Sequence, residues 1–330
     1  MRRREFIALV GGAATVWPFG ARAQQTEQKR RIGVPNSLAE TDAESQAWDA
    51  AFRKRLNELG WIEGRNIQLD YRWAAGKVER LQEFARELIG LKPDVLVAMT
   101  TPATAVLHAR TRTIPIVFTV VADPIGSGFV ANLAKPDGNI TGFADYEPSL
   151  SGKWLGLMRE VAPSVSRVGF LFNPQTAPFA RPYLATFHSA ASALAVEPIE
   201  TPFHSATEIE AMMIKLGREG GAGVIVLPDT STVIYRETIL SLADRHRLPT
   251  VYPFRLFVTA GGLISYGIDL ANQLRGASSY VDRLLRGAKP SELPVQQPTK
   301  FEVIINLKTA KALGLAVPSS LLATADEVIE

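Results

Sequence analysis

The stretch DVLVAMTTPATAVLHAR, Asp94–Arg110, decides the fold. Val95 to Met99 is an unbroken apolar run without alternation, the pattern of a strand covered on both faces. Two threonines and a proline stop it, and a helical segment follows. Pro102 suits a first helical turn because it has no N–H to leave unpaired, and Thr101 reads as the N-cap. A buried strand that turns at once into a helix is half of a βαβ unit, so the neighbouring segments should repeat the rhythm.

They do. RIGVPNS reads as a first strand. TDAESQAWDAAFRKRLNELG reads as an amphipathic helix, with Trp48, Phe52, Leu56 and Leu59 on one face and Gly60 at its end. NIQLDYRWA, PDVLVAMT and IPIVFTVV supply further strands, with a helix before and after the second of these. After Ala122 a segment rich in Gly, Pro, Asn and Asp breaks the pattern. A second series of the same grammar then runs from RVGFLFNP through GVIVLPDT to PTVYPF. Right-handed crossovers make each series a doubly wound α/β lobe with a parallel sheet. The tail, with a helix and a strand left over, predicts further crossings between lobes near Thr141–Tyr146, Ser265–Asp269 and Pro298–Val303. The expected division is 24–142 with 268–300 in the first lobe, and 143–267 with part of 301–330 in the second.

The totals restrict function. Hydrophobic residues make up 46% and charged residues 21%, the balance of a globular chain. The first residues, MRRREFIALVGGAATVWPFGARAQQ, place three arginines before a short apolar run that ends at Ala21-Arg22-Ala23. This is the form of an export signal over residues 1–23, and Arg3-Arg4-Glu5-Phe6-Ile7 is close to a twin-arginine motif, with an ordinary secretion signal as the alternative. The formal net charge is +3, but the leader holds four of the 36 basic residues and one of the 33 acidic ones, so 32 of each remain. A neutral mature chain gives no reason to expect a nucleic-acid partner. There is no cysteine, which excludes disulfides, thiol chemistry and a lipid-modified cysteine. A periplasmic protein without membrane insertion, monomeric, is expected.

In open α/β sheets ligands bind beyond the carboxyl ends of the strands. The residues there are Asn36, Ser37, Thr100, Thr101, Asp123, Asn173, Asp229, Tyr252 and Ser265, with Thr104 one turn into the third helix. The helix mouth at Thr100 and Thr101 offers N–H groups and hydroxyls, either as simple capping or as a seat for a carboxylate. Asp229, after an apolar strand of the other series, reads as a turn residue or as the receptor of a ligand ammonium. If both series face one cleft, these groups grip opposite ends of a zwitterion, flanked by Phe143, Tyr146, Tyr252 and Tyr266. Gly126-x-Gly128-x-x-Ala131 lacks the context of a dinucleotide site, and the four histidines have no ligand spacing. No nucleophile stands with a base, so neither an enzyme nor a metal or other cofactor is expected.

Several segments carry a family resemblance. They are AFRKRLNELGWIEGRNIQLDYRWAAGKVERLQEFARELIGLKPDVLVA, TIPIVFTVVADPIGSGFVANLAKPDGNITG, LSGKWLGLMREVAPSVSRVGFLFNP, AGGLISYGIDL and LPVQQPTKFEVIINLKTAKALGLAVPSSLLATADEVIE. Over nearly all of the mature sequence the chain resembles ABC-transporter substrate-binding proteins of the tryptophan/tyrosine-binding type. That resemblance implies the type I periplasmic binding-protein fold: two Rossmann-like lobes, a three-segment hinge and a ligand in the cleft. It implies delivery to a membrane permease driven by a cytoplasmic ATPase. It also implies a site drawn from Asn36 or Ser37, Thr100, Thr101, Thr104, Asp123, Asn173, Asp229 and Ser265. Amino acids with aromatic or branched side chains and related aromatic acids are the expected ligands. A sensor module that presents the closed state to a membrane receptor is the alternative, which neighbouring genes distinguish.

Overall fold

The structure, a computed structural model, describes residues 29–330. The expected export leader lies outside the described residues. The first series runs β1 (Arg30–Asn36), α1 (Ala43–Glu58), β2 (Ile67–Trp73), α2 (Val78–Gly90), β3 (Val95–Met99), α3 (Thr101–Arg110), β4 (Ile116–Val121) and β5 (Ile140–Ala144). The second runs α4 (Leu150–Val161), β6 (Arg167–Phe172), α5 (Ala180–Ala193), β7 (Glu197–Pro202), α6 (Ala206–Glu219), β8 (Ala222–Val226), α7 (Thr230–Ile234), α8 (Arg236–Arg245), β9 (Thr250–Tyr252), α9 (Arg255–Thr259) and β10 (Ile264–Ile268). The tail adds α10 (Leu270–Leu285), β11 (Phe301–Asn306), α11 (Leu307–Leu313), α12 (Ser319–Thr324) and β12 (Glu327–Ile329).

Two sheets result. The first has the order β2-β1-β3-β4-β5 and is wholly parallel. The second has the order β12-β11-β10-β9-β8-β6-β7. It is parallel from β7 to β10, but β11 pairs antiparallel to β10, so it is mixed at one edge. The antiparallel strand has a topological cause. After β10 the chain leaves for the first sheet, where α10 packs on α1, β3, β4 and β5, and it re-enters the second sheet from the opposite end. The chain passes between the sheets after Ala144, after Ile268 and before Phe301.

The apolar run Val95–Met99 is buried because both of its faces are covered. Val95, Val97 and Met99 share one core with Trp48, Phe52 and Leu56 of α1 and with Leu274, Ala277 and Val281 of α10. Leu96 and Ala98 share another with Leu81, Ala85 and Leu88 of α2 and with Ala103, Val106 and Leu107 of α3. Alternate residues of a strand point to opposite faces. A strand with helices on both sides therefore has no position for a polar residue, and each large side chain contributes about 1.5–3 kcal/mol on burial. Met99 is fully buried in that core and stays off the cleft.

Candidate functional site

The two halves repeat one topology, and the repeat places the site. The order 2-1-3 in the first sheet and 7-6-8 in the second each contain a point where the winding reverses. Loops part there, and a crevice opens beyond the strand ends. In the first sheet the crevice lies between β1 and β3, and Ser37 and Thr100 meet across it with their hydroxyls 2.5 Å apart. In the second it lies between β6 and β8, where the Asn173 amide donates to Asp229 Oδ2 at 3.4 Å. The crevices face each other across a narrow cavity of about 20 Å³.

Thr100, Thr101, Val120 and Ala122 wall the cavity from the first sheet. Thr176, Asp229, Thr230 and Val233 wall it from the second, and Asp145 closes it at the hinge. Trp48, Phe179 and Phe254 add aromatic faces. Thr100, not Thr101, is the N-cap of α3, and its Oγ1 accepts from Ala103 N at 3.4 Å. The cap stands one residue earlier than the sequence suggests, because β3 ends at Met99 and the helix starts at once. Thr101 is therefore the first helical residue and lies on the cavity wall. The backbone here departs from ordinary geometry. Thr100 has φ 155°, Asp123 has φ 45°, and the β-branched Val120 has φ 55°, a conformation that costs about 1–3 kcal/mol. Gln273 of α10 holds this corner: its Oε1 accepts from Val120 N and Thr119 Oγ1 at 3.2 Å, and its Nε2 donates to Ala144 O at 2.7 Å.

Two carboxyls dominate the electrostatics. Burial pushes Asp145 up to about 7, against the pull of its own and the Tyr146 main-chain amides. Burial likewise pushes Asp229 up to about 7, against the Thr176 hydroxyl and the amides of Ser231, Asn173 and Thr230. Asp229 Oδ1 is buried and makes no well-formed hydrogen bond. Among the described residues the cavity wall carries no lysine, arginine or histidine.

Of the residues singled out in the sequence, the structure brings Thr100, Thr101 and Asp229 onto this cavity. Asp123 lines a wider apolar groove next to it, which shares Thr101, Thr176 and Phe179 with the inner cavity. Ser37 and Asn173 stand one layer back, behind Thr100 and Asp229. Asn36 braces the start of α1, donating to Ser45 Oγ at 2.9 Å and accepting from Leu38 N at 2.9 Å. Thr104 turns its hydroxyl back to Thr100 O at 2.8 Å.

The expected aromatic flank is replaced by another. Tyr252 is buried, stacked on Phe257 with ring centroids 4.9 Å apart. Phe143 packs on Tyr280 at the outer side of the hinge. Tyr146 braces the hinge: its hydroxyl donates to Pro253 O at 2.5 Å and accepts from Ile268 N at 3.3 Å. Tyr266 stacks on Phe301, and Ser265 is buried within β10. The lining residues not singled out include Asp145, Trp48, Phe179 and Phe254. Asp145 directly follows β5, so the strand-end rule finds it once β5 is seen to end at Ala144.

Comparison with known proteins follows the same lines. A curated relative, the tyrosine-binding protein of Clostridioides difficile, is 27% identical over 292 residues, covering 88% of this chain and 82% of the relative. A crystal structure of a conserved domain protein from Vibrio cholerae superposes with a TM-score of 0.84 at 26% identity, over 91% of this chain and all of the other. An ABC domain from Streptococcus pneumoniae, solved in complex with L-Trp, superposes with a TM-score of 0.82 at 24% identity, over 92% of this chain and all of the other. The two-sheet architecture is that of type I periplasmic binding proteins. The model of the family described as ABC transporter substrate binding protein matches residues 36–329, and the chain belongs to that family.

Proposed function

We propose that the protein is the periplasmic receptor of an ABC importer, which captures a small carboxylate ligand, an amino acid, between its lobes, closes over it and delivers it to a permease driven by a cytoplasmic ATPase. One observation carries this reading: a single cavity joins the mouth of α3 at Thr100 and Thr101 to the buried carboxyl of Asp229 on the other lobe. The first offers amide groups and hydroxyls to a carboxylate, the second an acceptor to an ammonium. Trp48, Phe179 and Phe254 supply the apolar walls for a side chain. The relatives named for tyrosine and solved with L-Trp support an aromatic amino acid, with branched amino acids and related aromatic acids next. Among the described residues no helix is long and apolar enough to cross a membrane, and the leader-like residues 1–23 support export.

Ligand capture stabilises the folded state by mass action, so a ligand at 100 times its Kd adds about 2.7 kcal/mol. A thermal-shift screen of amino acids, aromatic acids and small peptides on the mature chain is expected to single out one group of ligands. Calorimetry with Asp229→Ala then tests the seat. Affinity for the selected amino acid should drop at least tenfold with the fold intact, and an unchanged Kd would remove the zwitterion reading.

A further inference from the structure

Among the described residues the cavity is lined by two acids and no base. Asp145 is 2% exposed and Asp229 is 5% exposed, and they reach it from different parts of the chain. Asp229 belongs to the second lobe. Asp145 belongs to the first crossing segment, where the chain leaves β5. Its Oδ1 accepts from the adjacent Tyr146 N, at 2.8 Å. Asp229 Oδ1 is buried on the cavity wall without a well-formed hydrogen bond. Native proteins seldom leave a buried carboxylate oxygen unpartnered. Burial alone already holds both carboxyls toward the neutral form. Among the described residues the wall has no side chain that can carry a positive charge.

We infer that a ligand cation is held between Asp145 and Asp229, which makes Asp145 a specificity-determining residue that selects ligands by an amino group. This deepens the proposed reading and rests on it, since it takes the same cavity as the ligand site. It adds a second contact and a filter. Carboxylic acids without an amine leave two acids facing an apolar or anionic guest, and are rejected. The position of Asp145 also carries the ligand's charge to the hinge. The next residue, Tyr146, bonds Pro253 O on the second lobe and Ile268 N at the second crossing. The preceding residue, Ala144, accepts from Gln273 of α10. A cation on Asp145 thus touches the segment about which the lobes turn, as well as the two lobes.

Calorimetry on the full mature chain tests this with three probes: tyrosine, its deaminated analogue 3-(4-hydroxyphenyl)propionate, and tyramine, which keeps the amine and lacks the carboxylate. The parent is expected to bind tyrosine at least 100-fold more tightly than the deaminated acid. In Asp145→Asn that preference should shrink at least tenfold, through loss of tyrosine affinity rather than of all binding. Removing a buried charge should leave the free variant at least as heat-stable as the parent, so weaker binding cannot be ascribed to unfolding. Equal loss for tyrosine and the deaminated acid, or an unchanged preference, overturns the role of Asp145. Tight binding of the deaminated acid by the parent overturns it too, while leaving a solute receptor. Binding of tyramine without tyrosine supports the cation site and instead defeats the amino-acid reading. Binding of none of the three overturns both.

Discussion

Arg236 of α8 donates from its Nη1 to Asp42 Oδ2 across the space between the lobes at 2.7 Å, with the two side chains 17% and 14% exposed. Each partner is also held by its own lobe. Asp42 Oδ1 caps α1 by accepting from Glu44 N and Ser45 N at 2.9 and 3.3 Å, and Arg236 donates to Val233 O at 3.0 Å. A charged pair that is preordered and partly shielded from water contributes more than an exposed one. If the lobes close on a ligand, this pair forms late and resists opening. Arg236→Ala should speed ligand dissociation about tenfold, equivalent to about 1.4 kcal/mol, with a smaller change in association. Asp42→Asn should act in the same direction while keeping an acceptor for the cap. Stopped-flow dissociation rates that match the parent in both variants would remove the latch.

The two raised carboxyls predict a pH dependence for the free protein. Asp145 and Asp229 lose protons near pH 3.8 when unfolded and near 7 when folded. Between these values the folded state binds protons that the unfolded chain has released, so stability falls as pH rises through that window. Tyr146 and Tyr183, buried close to Asp145, stay neutral throughout, because burial holds them well above the ordinary tyrosine value. Exposed groups add their own slopes, so the comparison is with the Asp145→Asn/Asp229→Asn double variant. The parent should lose roughly 5 °C more in Tm than the double variant between pH 5 and pH 8. An amine ligand reverses the trend by favouring the ionised acids, so its stabilising effect should grow over the same range. Parallel Tm curves for parent and double variant would contradict the assignment.

The hinge depends on a glycine. A Cβ at Gly267 would run into Pro253 O and lie 2.5 Å from the Tyr146 hydroxyl, the two groups whose hydrogen bond ties the first crossing segment to the second lobe. Gly267→Ala is expected to cost about 1–3 kcal/mol through overpacking. Tyr146→Phe should cost a similar amount by leaving Pro253 O and Ile268 N unpaired. Both losses act on one contact, so the double variant should fall well short of the sum. Urea denaturation measures all three, and strict additivity would show that the glycine serves another purpose.

What the sequence made legible follows from how local each cause is. β3 and β8 could be read because helices on both faces demand unbroken apolar runs, and Thr101 and Asp229 because ligands gather at strand ends. Asp145 was hidden by its surroundings. DGNITGFADYEPS has the composition of a loop, and β5 becomes a strand only by pairing with β4, in a register that shifts between Phe118 and Val121. The aromatic wall was not legible because nothing local fixes which way a ring turns. Phe143 faces Tyr280 on α10 and Tyr252 faces Phe257, while Trp48 and Phe254, placed by the approach of the lobes, reach the cavity.

Phe179 separates the inner cavity from the apolar groove beside it, as one of the residues common to both. It is 6% exposed and stands at the start of α5, with its ring against Tyr183 at a centroid distance of 5.8 Å. Shortening it removes a wall and not a polar contact. Phe179→Ala should therefore weaken binding of a single amino acid, by about 1–3 kcal/mol for the lost apolar contact, while opening room along Pro102, Phe129 and Pro178. A longer guest with the same amino end, such as a tyrosine-containing dipeptide, should gain relative to tyrosine in the variant. Competition calorimetry with the two ligands gives the ratio directly. If Phe179→Ala weakens both equally, the groove is separate from the binding site, and the inner cavity alone sets ligand size.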